Sequence, residues 1–154
     1  MNQVNQTPKD IVKSNMIITV AMTVGALMML GIIHFVVQPK DTSGESNLFM
    51  MIAVGAIVLN YVLGRFLSQR KLSEITEGMD LVEKLTIYKS ALILRFATLE
   101  GPALICIIFY MLEGRIEFVI MAIALIAMMI LSIPNTNRVI QQLNLNFEEQ
   151  KEVL

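Results

Sequence analysis

The sequence predicts an all-α integral membrane protein: a four-helix bundle made of two in-out-in hairpins, with amphipathic cytoplasmic helical extensions. Three observations predict it. The chain of 154 residues is 55% hydrophobic and only 16% charged, with a mean hydropathy of +0.65, well outside the balance of a soluble domain. Four apolar runs are each long enough to cross roughly 30 Å of hydrocarbon, which takes about 20 helical residues. Lysine and arginine gather on one side of the alternating connections.

A cytoplasmic N-terminal segment, residues 1–14, leads into the first run, residues 15–37 ("NMIITVAMTVGALMMLGIIHFVV"). Its apolar core is too long for a cleavable signal peptide, and no small-x-small site precedes "QPKDTSGES", so it is expected to remain as an anchor. The connection that follows has turn chemistry in Pro39, Asp41, Ser43 and Gly44. The second run covers residues 47–67, the third 91–112 and the fourth 116–133, with "EGR" at 113–115 as a tight turn.

With the N-terminus inside, the inner side receives Lys9, Lys13, Arg65, Arg70, Lys71, Lys84, Lys89, Arg138 and Lys151, and the outer side only Lys40 and Arg115. Nine against two places both termini in the cytoplasm. The expected location is the cell membrane, the inner membrane of a bacterium.

The inner segments carry their own pattern. In the helical connection 68–90, Leu72, Ile75, Met79 and Val82 alternate spacings of three and four, which puts them on one side of a helix. They either cover the end of the bundle or offer a docking face. Gly78 weakens continuity, and Asp80 with Glu83 resembles an N-cap, so the third helix is expected to start near Leu81. Pro134 and "NTN" stop the fourth span. In the tail 135–154, Val139, Ile140, Leu143 and Phe147 suggest one amphipathic helix under the membrane, followed by a solvated acidic end, "EEQKEV". Aligning Gly25 with Gly101 superposes the two halves mostly as apolar on apolar, and a duplicated hairpin stays open as an alternative.

Charge inside the membrane is the functional signal. Centred near Gly101, the third span places Glu100 at the midplane, where an ionised carboxylate costs several kcal/mol unless paired, hydrated or protonated. Arg95 lies five residues earlier, about 7.5 Å nearer the cytoplasm and roughly 140° around the helix, so the two do not pair. Arg95 and Arg65 are expected to snorkel to the inner headgroups or to pair with another helix. Depth places Asn60 and Tyr61, on the second span, about 5 Å below the midplane. Pro102 frees the carbonyl of Thr98, and Ala97 with Gly101 forms a small-xxx-small step for close helix packing. The expectation is one intramembrane polar cluster of Glu100, Thr98, Asn60 and Tyr61.

Other residues say less. His34 falls about 12 Å outward of the midplane, an interfacial histidine or a pH sensor. One cysteine, Cys106, makes neither a disulfide nor a zinc site, and the 12 methionines show no paired Met-x-x-Met spacing. No cofactor or metal is called for, and a charge of -1 with a pI near 5.8 gives no sign of a nucleic-acid partner. No HExxH, GxSxG or Walker A motif appears, and His34 and Glu100 are too far apart in depth to share a reaction.

With four spans and one intramembrane glutamate, the chain resembles the small multidrug transporters, a likeness that implies a proton-linked carrier. In that family the acid is on the first span and aromatic side chains help hold the cation; here it is on the third, and Trp is absent. In length it is similar to the duplicated rotor proteolipids of proton-driven ATPases, which are glycine-rich on their packing helices and carry the acid on a hairpin's second helix. This chain has 8 glycines and its acid on a hairpin's first helix. Neither likeness carries a residue's role across. The reading is therefore a non-enzymatic membrane subunit or interaction partner, whose partners are the bilayer and either another protein or a second copy of itself. The alternative is a small proton-linked carrier working through Glu100.

Overall fold

The computed structural model describes residues 7–39, 47–76 and 78–153, so Lys40, Asp41, Ser43 and Gly44 of the first connection lie outside the described residues. Every regular element is helical: α1 Pro8–Ile32, prolonged by a π-helical turn Ile33–Val37, then α2 Leu48–Leu72, α3 Leu81–Glu113, α4 Ile116–Ser132, α5 Thr136–Leu143 and α6 Phe147–Val153. Three of these are long and apolar enough to cross a membrane. They become four if α4 and α5, bent by 76° at the break that holds Pro134, count as one span.

Local chemistry fixes the ends. Thr7 and Asp10 form a reciprocal capping box with Pro8 at the first position, so α1 begins seven residues before its apolar run. Asp80 caps α3, accepting from the Val82 N–H at 3.1 Å, and α3 starts at Leu81 as its sequence suggests. The Leu72 to Val82 pattern is not a separate helix. Residues 73–76 and 78–80 lie between α2 and α3 outside any helix, with Gly78 at φ +95°, a conformation that only glycine adopts without strain. Leu72 and Ile75 still pack against the core, whereas Val82 is exposed.

Helix α3 is the hub. It packs against α1, α2 and α4, and its buried side, from Leu85 through Tyr88, Leu92, Phe96, Leu99 and Ala103 to Ile107, forms the spine of the core. Helices α1 and α2, consecutive in the chain, barely touch and lie on opposite flanks of α3. Of the two hairpins expected, α3 and α4 pack on one another across the turn at 113–115, whereas α1 and α2 each pack on α3 instead of on one another. Residues 38–47 can span about 33 Å when extended, enough to step across a helix, so nothing local forces α1 onto α2.

The tail departs from its expected form. Val139 and Leu143 of α5 are buried, but Phe147 lies beyond the αL residue Asn144, in α6, and is 70% exposed. The acidic end is not solvated coil. Asn146 and Glu149 cap α6 reciprocally, at 2.9 Å each way, α6 docks on α1 with Val153 buried, and Glu149 pairs with Lys84 of α3 at 2.6 Å.

Candidate functional site

The azimuth of each helix decides which polar residues meet. Helix α2 approaches α3 through Gly64, where an added Cβ would lie 2.9 Å from the Thr98 Cβ, so Thr98 marks the flank of α3 that faces α2. Glu100 follows two residues later, about 200° around the helix, and therefore leaves on the opposite flank. Lys89, eleven residues before it, shares its face to within about 20°. Lys89 Nζ reaches Ser14 Oγ at 3.5 Å, so that face borders α1. At the other end of the same pair of helices, His34 Nδ1 lies 2.8 Å from the Tyr110 hydroxyl. Both contacts join residues 75 or 76 apart, which sets Glu100 level with Val24 and Gly25. The carboxyl is half-buried and makes no hydrogen bond or ion pair among the described residues.

The expected cluster of four is thereby parted. Asn60 lies at a similar level, but its Nδ2 donates to the Ala56 carbonyl of its own helix at 2.9 Å. Tyr61 is exposed and lines a cleft with Thr98, whose hydroxyl donates to the Arg95 carbonyl at 2.9 Å. Reckoning by depth puts the four residues within about one helical turn of one another; rotation about the helix axes separates them. The close approach expected at Ala97 and Gly101 is also elsewhere. Ala97 is exposed, and a Cβ on Gly101 would meet nothing within 4 Å, while Gly64 is the glycine pressed against a neighbour. Pro102 is buried within an unbroken α3.

The arginines do come together. A cleft of about 360 Å³ between α2, α3 and α4 is lined by Arg65, Ser68, Arg95, Thr98 and Ser132 among others. A second, of about 500 Å³, shares Arg95, Met128 and Ser132 with it and adds Arg138, Gln141 and Gln142. No carboxylate lines either one. Arg138 is held in place by donating from Nη1 to the Leu131 carbonyl at 2.6 Å, and so satisfies the last turn of α4. The guanidinium groups of Arg65 and Arg95 have no hydrogen bond or ion pair among the described residues.

Two features escaped the sequence reading. His34 is tied to Tyr110 by the hydrogen bond and by stacking, with ring centroids 5.9 Å apart. Asn15 is 1% exposed, yet its amide nitrogen and oxygen have no partner, and Thr19 and Thr23 below it donate to carbonyls of their own helix. The signal was present as Asn15, Thr19 and Thr23 at spacings of four, a polar stripe on one face of an apolar span. Among the described residues, no three His, Cys, Asp or Glu side chains gather as a metal site. No known protein family, curated protein or solved structure matches the chain.

Proposed function

We propose that this chain is a non-enzymatic subunit of a membrane complex, with both termini cytoplasmic, and that Glu100 accepts a hydrogen bond or a charge pair from a span supplied by a partner. One observation carries the reading: a half-buried carboxyl within the long apolar helix α3, with no hydrogen bond or ion pair among the described residues. In hydrocarbon such a group is costly, and intramembrane acids pair, hydrate or protonate. Gly101, open to an added Cβ, leaves room for a second backbone one residue away. Helix α2 also leaves most of its surface free, with only Ala53 and Gly64 buried. The carrier reading needs water at Glu100, and neither arginine-lined cleft has that residue in its wall.

The test is the mass and composition of the complex extracted in mild detergent. Glu100→Gln, which keeps hydrogen bonding, should retain the assembly; Glu100→Leu should release the partner. A wild-type chain that runs as a lone monomer, or a complex indifferent to Leu, would sink the subunit reading. Proton uptake into vesicles that vanishes with Glu100→Gln while assembly persists would establish the carrier instead.

A further inference from the structure

We propose that the two clefts that adjoin at Arg95, one lined also by Arg65 and the other by Arg138, bind the phosphate of an anionic phospholipid from the leaflet on that side of the membrane. Three elements each contribute one guanidinium, and none of the residues lining the two adjoining clefts carries a compensating negative charge. Arg95 belongs to both walls. Helical side chains lean toward their own N-terminus. Arg95 therefore leans toward the α2–α3 turn, whereas Arg65, on an antiparallel helix, leans back toward the middle of the bundle. With Gly64 opposite Thr98, the Arg65 backbone lies about 3 Å nearer the middle of the bundle than that of Arg95, so the two guanidiniums line their shared wall from its two ends.

The chemistry around them selects the ligand. Guanidinium forks match phosphate oxygens in bidentate pairs. The hydroxyls of Ser68 and Ser132 can donate to the same oxygens. Leu99, Met128 and Leu131 supply apolar wall next to the charges, as an acyl chain requires and a soluble phosphate does not. The opening itself exists because α2 and α4 each pack on α3 and scarcely on one another. Basic pockets between spans at a membrane surface are where acidic headgroups dock.

The experiment uses the full chain, delipidated in detergent and then supplied with phosphatidylglycerol, phosphatidylcholine or inorganic phosphate. Retained lipid is read by native mass spectrometry and stability by thermal shift. Phosphatidylglycerol should be retained about tenfold over phosphatidylcholine, and the Arg95→Gln, Arg138→Gln double variant should lose about tenfold or more of that retention. Arg70→Gln, outside the cleft, should change nothing. Arg95→Lys keeps the charge without the fork and should fall between, and circular dichroism on the same samples confirms that the variants keep their helices. Equal retention of the two lipids, or retention that survives the double variant, overturns the proposal. A thermal shift given by inorganic phosphate alone through the same arginines overturns the lipid as its source.

Discussion

Gly64 is the residue on which the packing of α2 turns. A methyl there would drive into the hydroxyl and Cβ of Thr98, and overpacking of this kind costs about 1–3 kcal/mol. Gly64→Ala should lower the melting temperature in detergent, with part of the loss recovered by adding Thr98→Ala, which removes the hydroxyl but not the Cβ. Asn15 makes the opposite prediction. Its buried amide lacks partners, and an unsatisfied buried polar group costs roughly 1–3 kcal/mol, so Asn15→Leu should raise the melting temperature. A marked fall would show that the amide meets a ligand or water. Glu149 governs a pH dependence. The hydrogen bond from Lys84 holds its carboxyl below the usual carboxylate range. The folded state therefore binds that proton less well than the unfolded chain, whose glutamate titrates near 4.3. The stabilisation is complete above about pH 4.3 and is lost as pH falls through the folded value. Glu149→Gln should thus lower stability at pH 7 and bring the variant and wild-type melting temperatures together once the pH falls below the folded value.

At the scale of elements, the caps are legible and the docking is not. Thr7 with Asp10 and Asn146 with Glu149 are the S/T/D/N-x-x-acid pattern of a helix start. The second of these turns "EEQKEV" from a solvated end into α6. Removing the cap with Asn146→Ala should cost about 1 kcal/mol. That loss should appear as faster amide exchange across residues 147–153 while α1 to α4 stay protected. Uniform protection across the tail would mean that docking through Val153 and Lys84, not the cap, holds α6. Pro134 ends α4 as its chemistry demands. The 76° bend that follows lets α5 lay Val139 and Leu143 into the core and brings Arg138 up beneath α4.

For the whole molecule, arrangement around α3 explains both sites. Because α1 and α2 take opposite flanks of that helix, Glu100 and Thr98 look out on different neighbours although they are two residues apart. Gly25 and Gly101, aligned as a possible repeat in the sequence, lie at one depth on parallel helices, since the contacts between α1 and α3 are offset by 75 or 76 residues. The inward orientation of the arginine-bearing end is testable: a reporter fused after Leu154 should be active only in the cytoplasm, and activity outside would invert the leaflet assigned to the lipid.

By itself the sequence determined what depends on composition, run length and local pairing. The apolar runs, the start of α3 at Asp80 and Leu81 and the stop at Pro134 all follow from residues within a few positions of one another. Tertiary structure decided which face each helix turns to its neighbour. In a span that is apolar all round, periodicity is too weak to fix rotation, so Glu100, Asn60, Thr98 and Tyr61, expected within about a helical turn of one another in height, do not share a site. A single close contact, Gly64 on Thr98, sets the azimuth of α2 and brings Arg65 to the wall that Arg95 lines, the bend after α4 brings Arg138 to the other side of Arg95, and the carboxyl is left on the other flank.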